Sequence, residues 1–217
     1  MVLMPVQTDQ GSLRARKKQR TRAALVEAGL DLFLDKGYDS TTIDEIAAQV
    51  EVSPRTFFRY FASKEDVALA KGAELDDLVV QALIERPQDE PPLPALRNAV
   101  LDMVRRAAES DGVTRFLHVQ HLITKTPALM AGNLRRSADT EKRLTDEIAR
   151  REGIDPERDM RPRVLVGVVY TGLRIGLEVT CADPQRDVNR MITAVQRAID
   201  LATGGIPEQW RKRGGSC

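Results

Sequence analysis

The chain has 217 residues, of which 42% are hydrophobic and 30% charged, and its formal net charge is +1 at pH 7. This length accommodates a small domain and a larger one, and the balanced charge neither indicates nor excludes a nucleic-acid partner. The two cysteines, Cys181 and Cys217, exclude a disulfide framework and are typical of a reducing cytoplasm. The chain does not open on a signal-peptide pattern, and its longest apolar run, Val164–Tyr170, is too short to span a bilayer. We therefore expect a cytoplasmic protein without membrane association.

The first part of the chain predicts a disordered arm followed by a long basic helix. Residues 1–12 lack apolar periodicity, whereas apolar residues recur at helical spacing between Leu13 and Lys36. Gly37 then ends the helix, because glycine tolerates the positive φ of a helix C-terminus. Six bases fall within nine residues at the start of this helix: Arg14, Arg16, Lys17, Lys18, Arg20 and Arg22. Such a cluster is expected where a protein contacts DNA phosphates, although a solvated basic segment has the same composition.

The stretch from Thr41 to Lys64 predicts two short helices joined by a tight turn. Thr42 and Glu45 form a capping-box pattern that begins the first helix. Ser53, followed by proline, is a favourable start for the second. Only residues 50–52 separate them, so the pattern indicates a helix-turn-helix whose second helix enters the DNA major groove. An ordinary pair of packed helices would show similar spacing.

The second helix of this pair carries residue types that suit DNA. Arginine can donate two hydrogen bonds to a guanine or hold a phosphate, and a tyrosine hydroxyl can contact the rim of the groove. Phe57 and Phe61 are four residues apart, so they share a face that should pack on the domain core. The candidate DNA contacts of this helix are Arg55, Thr56, Arg59 and Tyr60.

The stretch Gly-Tyr-Asp-Ser-Thr-Thr-Ile-Asp-Glu-Ile-Ala that begins at Gly37, together with Val-Ser-Pro-Arg-Thr-Phe-Phe-Arg-Tyr-Phe-Ala-Ser-Lys, which ends at Lys64, resembles the N-terminal domain of TetR-family transcriptional regulators. The resemblance implies an all-α homodimer. Each subunit would carry an N-terminal three-helix helix-turn-helix head and a larger helical body for ligand binding and dimerisation. Two positions depart from the family pattern. Glu51 replaces a usual glycine, so it must adopt a less favourable backbone conformation and adds negative charge near DNA. Phe58 replaces a common tyrosine, which removes one phosphate contact.

The resemblance also implies that the basic end of the first helix lies along the DNA backbone. The start of the helix after the second capping box, Ser63 with Asp66, would face the same backbone with its positive dipole end. The predicted DNA contacts are therefore Arg16, Lys17, Thr42, Ser53, Arg55, Thr56, Arg59, Tyr60 and Lys64.

The whole pattern predicts a DNA-binding head over residues 13–63, a helical body over 64–205 and a flexible tail over 206–217. A helix from Lys64 to Ile84 would join head and body and is the natural lever for ligand control. Four prolines make residues 86–94 a loop. Helices are then expected over 95–109, 113–125, 127–152 and 163–179, and a last one ends near Thr203. The second half of the helix over 127–152 alternates acids and bases, which is typical of a solvent-exposed face.

The helix over 163–179 is apolar nearly all round, so we expect both of its faces to be buried. Gly172 and Gly176 would allow another helix to approach it closely. In the TetR family the last two helices pair with their copies in a second subunit, and the pattern fits such a dimer. The alternative is that both complete a monomer core.

The sequence contains no Gly-rich phosphate loop, no CxxC pair and no nucleophile elbow, so we predict neither an enzyme nor a cofactor. His118 and His121 are one helical turn apart, but a metal would need further ligands such as Asp111 or Cys181. We interpret the two histidines as pocket or surface residues and predict no metal site.

The composition of the body indicates a pocket with apolar walls and a few polar anchors. Arg174 interrupts an apolar helix, and it either pairs with Glu178 one turn on or faces the pocket to bind an acidic ligand. The candidate pocket residues are Val100, Met103, Phe116, His121, Val166, Tyr170 and Arg174.

We therefore predict a ligand-responsive regulator that binds a double-stranded DNA operator. It is most simply a repressor released by a small lipophilic or acyl-CoA-like effector. An activator of the same fold, or a helical partner-binding protein without a specific operator, would carry the same residues.

Overall fold

The computed structural model describes residues 10–111, 113–181 and 187–205. Within these ranges the chain forms nine α-helices and no strand, which confirms the all-α prediction. The helices are α1 (Gln10–Lys36), α2 (Ile43–Gln49), α3 (Pro54–Phe57), α4 (Lys64–Ile84), α5 (Pro92–Asp111), α6 (Val113–Lys125), α7 (Pro127–Glu152), α8 (Arg161–Cys181) and α9 (Val188–Thr203). The predictions for residues 1–9 and for the tail over 206–217 lie outside the described residues.

The chain divides into two compact units, a head up to Lys71 and a body from Gly72 onward. The division falls inside α4, whereas the sequence placed it at the start of that helix. A second difference lies at α1, which already begins at Gln10 within the predicted arm.

Local sequence signals determine the helix ends of the head. In the capping box, the backbone N–H of Thr42 donates to Glu45 Oε2 at 2.8 Å, and the N–H of Glu45 donates to Thr42 Oγ1 at 3.3 Å. Ser53 Oγ accepts from the N–H of Thr56 at 3.2 Å and begins α3. Gly37 follows α1 with φ 93°, as predicted. The second helix of the motif is short, because regular helix ends at Phe57 and a turn follows.

The head has its own apolar core. Phe57 and Phe61 are buried, with ring centroids 5.9 Å apart, which confirms that their shared face packs inward. A Cβ added at Gly29 of α1 would lie 2.5 Å from Val67 Cγ1 of α4, so these two helices lie in close contact. Ile46 of α2 is also fully buried. The head therefore holds α3 in place with a small number of large side chains.

The body core takes more of its buried residues from α5 than from any other helix, and α4, α6, α7, α8 and α9 contribute the rest. The close approach predicted at two glycines is confirmed. A Cβ at Gly172 would lie 2.7 Å from Ile199 Cα, and one at Gly176 would lie 2.4 Å from Val195 Cα. No side chain fits between α8 and α9 at these points, so the two backbones pack directly against each other.

Two boundaries of the body differ from the predictions. α5 begins at Pro92, so Pro92 and Pro94 lie in the first helical turn rather than in the loop. Proline is tolerated there because the first N–H groups of a helix have no intrahelical acceptor. α8 extends beyond both predicted ends, to Arg161 and Cys181.

The expectation that both faces of α8 are buried is wrong for the single chain. Val164, Ile175 and Val179 are exposed, Val179 to 61%. By length and composition α8 is the one described helix that could cross a membrane. Its other face, however, carries buried Leu165 and Val169 and packs on α9. We therefore interpret α8 as a core helix of the body, on grounds of packing rather than of length.

Candidate DNA-binding surface and polar cluster of the body

The α3 segment presents two arginines to solvent. Arg55 and Arg59 are exposed, whereas Thr56 and Tyr60 are half-buried. The Arg59 guanidinium lies 5.9 Å from the centroid of the Tyr60 ring, which favours an orientation along the surface of the head. Phe57 on the opposite side is fully buried and fixes the segment. Of the predicted reading side chains, Arg55 and Arg59 are therefore open to solvent, and Tyr60 lies against Arg59.

The small hydroxyl residues predicted as DNA contacts are engaged in helix caps. Thr42 Oγ1 lies 2.8 Å from Glu45 Oε2, and Ser53 Oγ lies 3.0 Å from Thr56 Oγ1. Each hydroxyl oxygen keeps free lone-pair or donor capacity, so the caps do not prevent a further contact with DNA. Their observed role is to set the start of α2 and α3.

The turn between α2 and α3 contains the strained residue that the sequence predicted. Glu51 has φ 56°, in the left-handed region that favours glycine, and it is the only described non-glycine residue with positive φ. Phe58, at the other position that departs from the family pattern, is 56% exposed beside the arginines of α3. An aromatic ring so exposed next to two cations marks this face as a contact surface rather than a packed one.

Lys64 does not have the free ammonium group that a phosphate contact requires. Its Nζ donates to the carbonyl of Tyr38 at 2.9 Å and to that of Thr41 at 3.1 Å, and it lies 4.3 Å from the centroid of the Tyr38 ring. These contacts close the segment between α1 and α2 onto the start of α4. The side chain of Lys64 thus stabilises the head by holding these two segments together, and we remove it from the candidate DNA contacts.

The basic end of α1 supplies further positive charge. Arg16 and Lys17 are exposed, as a phosphate-contacting pair must be. Arg22, further along the cluster, has its guanidinium carbon 5.2 Å from the centroid of the Phe61 ring, so it contributes to packing of the head. Near the other end of α1, Lys36 donates to Glu45, and this contact lowers the pKa of the Glu45 carboxyl to about 2.

The residues predicted to line a pocket in the body fall into three groups. Val100, Met103, Phe116 and Val166 are buried in the body core, so they line a pocket only if that core opens. Tyr170 is partly buried against the same core. His121 is exposed on α6, and the prediction that it lines a pocket is wrong for this structure.

The prediction that Arg174 faces the pocket is also wrong. Its Nη1 donates to Glu178 Oε1 at 2.8 Å, and the two side chains are 59% and 48% exposed. The alternative of an ion pair along one turn of α8 is therefore confirmed. The sequence left both alternatives open because an apolar helix does not reveal which of its faces meets a neighbouring helix.

A row of arginines on α7 faces α4 and the loop that follows it. Arg136 donates to the carbonyl of Gly72 at 2.8 Å and pairs with Asp76, while Arg143 pairs with Asp77 at 2.8 Å. Arg151 is buried and donates to the carbonyls of Leu83, Arg86, Pro87 and Glu90 at 2.6–3.4 Å. Intervals of seven and eight residues place all three on one helix face. The expectation that the charged half of α7 is solvent-exposed fails at Arg151.

A polar cluster lies within the body where α4, α7 and α8 meet. Arg136 pairs with Asp76, the Thr140 hydroxyl donates to the Arg136 carbonyl at 3.0 Å, and the Tyr170 hydroxyl of α8 lies within electrostatic range of Asp76 and Arg136. These four residues are called the polar cluster below. Burial raises the pKa of the Asp76 carboxyl in spite of the neighbouring Arg136 guanidinium, and burial also raises the pKa of the Tyr170 hydroxyl. Among the described residues, neither Tyr170 Oη nor Arg136 Nε has a hydrogen-bond partner. The sequence analysis missed Asp76 and Arg136, because Asp76 stands among other acids in Glu74-Leu75-Asp76-Asp77 and no local signal marks it as the buried one.

The exposed side of α8 forms an open groove with its neighbours. The groove has a volume of about 470 Å³ and is lined by Glu141 of α7, by Ala202 of α9 and by Arg163, Val164, Gly167, Val168 and Thr171 of α8. Leu201 beside it on α9 is 77% exposed. Large apolar side chains exposed along two adjacent helices mark a surface for protein–protein contact.

The structure offers little to a metal ion. In the described ranges, no three or more His, Cys, Asp or Glu side chains gather in a group that could hold one. Cys181 Sγ lies 3.7 Å from the carbonyl oxygen of Leu117 and is partly buried.

Both the head and the body match known protein families. Residues 25–70 match the description "Bacterial regulatory proteins, tetR family", and residues 90–204 match the "MftR C-terminal domain" of the TetR class. The chain is 42% identical over 207 residues to the HTH-type transcriptional regulator TcmR of Streptomyces glaucescens, covering 93% of this chain and 91% of TcmR.

Solved structures agree on the fold. NalD, the secondary repressor of the MexAB-OprM multidrug efflux pump in Pseudomonas aeruginosa, aligns with a TM-score of 0.62 at 20% identity, over 89% of this chain and 100% of NalD. SmeT of Stenotrophomonas maltophilia, solved in complex with triclosan, aligns with a TM-score of 0.61 at 17% identity, over 86% of this chain and 91% of that structure. At these identities the likeness extends to the fold alone.

Proposed function

Because the chain belongs to the TetR family of transcriptional regulators, we propose that it is a repressor that binds its operator as a homodimer and leaves it when a small lipophilic effector binds the body. The observation that carries this proposal is the exposed pair of Arg55 on α3 and Arg59 in the turn that follows it, on either side of the buried Phe57. An arginine presented in this way can donate to guanine O6 and N7 in the major groove.

The contacts divide into two kinds. Arg55, Arg59 and the half-buried Thr56 read base edges, and Tyr60 contacts the rim of the groove. Arg16 and Lys17 bind phosphates without reading sequence. Thr42 and Ser53 lie at the starts of α2 and α3. There their hydroxyls contact the DNA phosphate backbone in addition to capping the two helices. Lys64 supports the head from within and does not contact DNA through its side chain.

The homodimer is supported by the exposed apolar face of α8 and α9. Val164, Ile175, Val179 and Leu201 are large apolar residues that a single chain leaves in water. A second copy would cover them with the same surface, as in a two-fold symmetric interface. A two-fold protein places its two heads on successive major grooves of a near-palindromic site.

Effector control is supported by the course of α4. This helix contributes its first turns to the head and the rest to the body. An effector that binds one arrangement of the body more tightly shifts the population toward that arrangement. For repression to be relieved, the preferred arrangement must be the one that binds DNA less well. We propose a lipophilic effector rather than an acyl-CoA-like one, because the polar cluster in the body pairs its charges internally.

Base reading by α3 is tested with Arg59→Ala in the full-length chain. The probe is a duplex enriched by the wild-type protein from random sequence, and binding is followed by fluorescence anisotropy. Loss of a bidentate contact should weaken binding by about 1–3 kcal/mol. The control is Arg106→Ala, which removes an exposed arginine of the body. Equal affinities for Arg59→Ala and the control would remove Arg59 from the reading surface.

The phosphate role of α1 is tested by changing Arg16 and Lys17 to glutamine together. Binding to all duplexes should weaken alike, and the slope of log K against log salt concentration should fall by about two units. Lys64→Gln should leave the slope unchanged, because its ammonium group already serves backbone carbonyls. A loss confined to one sequence would contradict the phosphate role.

A further inference from the structure

The polar cluster of the body contains two buried hydrogen-bond donors without a described acceptor, Nε of Arg136 and the hydroxyl of Tyr170. Native proteins pair nearly all buried polar groups, because an unpaired one loses its hydration without compensation. Arg151 also has a buried Nε without a partner, but the chain's own carbonyls surround its guanidinium. The donors of the polar cluster are therefore available to an acceptor that is not part of the described chain, which is an ordered water in the free protein or an oxygen of a bound molecule.

The charges of the cluster decide what kind of acceptor fits. Arg136 Nη1 donates to the Gly72 carbonyl and pairs with Asp76, and its Nη2 donates to Asn133 Oδ1 at 2.8 Å. The guanidinium charge is thus neutralised inside the cluster. A carboxylate or phosphate would bring an unbalanced charge into a buried place, which is costly. A neutral oxygen needs only the two available donors.

We propose that this cluster binds an uncharged oxygen of the effector, such as a ketone, ester or hydroxyl oxygen on a largely apolar molecule. Tyr170 Oη and Arg136 Nε are the donors. The inference rests on the proposed function and adds to it the chemical class of the effector. It also connects the effector to α4 through Arg136, because a Cβ at Gly72 would lie 2.8 Å from Arg136 Cζ. The guanidinium therefore lies against the backbone of the helix that continues into the head.

The test uses three naphthalenes of nearly equal shape: 2-acetylnaphthalene carries a neutral carbonyl, 2-isopropylnaphthalene has no polar atom, and 2-naphthoate has a carboxylate. Binding to the full-length protein is measured by equilibrium dialysis, with ring absorbance as the readout. The ketone should bind about five- to tenfold more tightly than the hydrocarbon, the difference that one to two hydrogen bonds make. The carboxylate should bind more weakly than the ketone.

Tyr170→Phe removes only the hydroxyl and should abolish the preference for the ketone over the hydrocarbon. The matched control is Thr180→Val on the same helix, which removes a buried hydroxyl that already donates to the Gly176 carbonyl at 2.8 Å. The control should keep the preference. Urea unfolding supplies a second readout: Tyr170→Phe should be about as stable as the wild type, because its hydroxyl has no hydrogen-bond partner to lose among the described residues.

Three comparisons of affinity would overturn the proposal: equal binding of ketone and hydrocarbon, tightest binding of the naphthoate, or an unchanged preference in Tyr170→Phe. Loss of stability in that variant would equally contradict it, since it would assign the hydroxyl a structural role. Absence of any ketone binding up to its solubility limit counts against it as well. DNA binding separates this inference from the proposed function. If the protein selects an operator but shows no preference among the probes, only the inference about the effector is contradicted. If it prefers the ketone but selects no operator, only the proposed function is contradicted.

Discussion

The head and the body of this chain are held together in different ways. In the head, residues close in sequence set each helix end, as Thr42 does with Glu45 and Ser53 with Thr56, and the arginines of α3 remain exposed. In the body, arginines join segments far apart in sequence, and Arg151 contacts carbonyls more than 60 residues away. The exposed arginines of the head are therefore available to a partner such as DNA, whereas Arg136 and Arg151 of the body are occupied in holding its helices together.

The largest expected effect is a loss of stability when the buried Arg151 is replaced. Arg151→Gln should lower the free energy of unfolding by about 2–4 kcal/mol, because several buried carbonyls lose their donors. Arg150→Gln is the matched control, since Arg150 is 60% exposed and pairs only with Glu147 one turn away. The control should change stability by no more than about 0.5 kcal/mol. Urea unfolding followed by circular dichroism measures both variants, and equal losses would break the comparison.

A second substitution tests the direct packing of two body helices. A Cβ at Gly176 would lie 2.4 Å from Val195 Cα, so Gly176→Ala must separate α8 from α9. Overpacking of this kind costs about 1–3 kcal/mol. Gly204→Ala, at a helical C-cap with 3.4 Å to its nearest neighbour, should be close to neutral. If thermal unfolding midpoints of the two variants coincide, the close contact between α8 and α9 is not what holds the body together.

The third prediction concerns the strained turn of the head. Glu51→Gly should stabilise the protein by about 1 kcal/mol, because glycine adopts φ 56° without the penalty that Glu51 carries. It should also strengthen DNA binding by removing a negative charge beside the backbone. Glu51→Gln separates the two effects, since it removes the charge but keeps the strained conformation. The account would be contradicted if glutamine and glycine raised the unfolding midpoint equally.

The smallest expected effect is the pH dependence of stability that the local contacts of Glu45 produce. The lowered pKa of Glu45, about 2 against an ordinary 4.5, means that its contribution to stability is complete above pH 4.5 and is lost as the pH falls toward 2. In Glu45→Gln this part of the pH dependence should disappear. Urea midpoints between pH 6 and pH 3 measure it, with Asp44→Asn, an exposed acid of the same turn, as the control. Parallel curves for wild type and Glu45→Gln would refute the role of the Lys36 and Thr42 contacts.

The sequence predicted the head in detail because its signals are local. The capping boxes, the glycine after α1, the strained Glu51 and the buried Phe57 each depend on residues a few positions apart, and all are found. The start of α4 and the ends of α7 were predictable for the same reason. The contacts of long charged side chains could not be predicted in this way. Lys64, Arg151 and Arg174 could be placed only once their neighbours were known, and those neighbours depend on how the helices pack.

The reading role of the head is most directly tested by selection from a pool of random duplex DNA with the full-length protein, followed by sequencing. The account predicts two inverted half-sites with centres about 10 base pairs apart, or a multiple of that spacing, as two α3 segments on a two-fold axis require. Arg59→Ala should enrich the same spacing with relaxed preference at one position of each half-site. A single half-site would contradict the dimer, and a pool without any enriched sequence would contradict the assignment as a sequence-specific regulator.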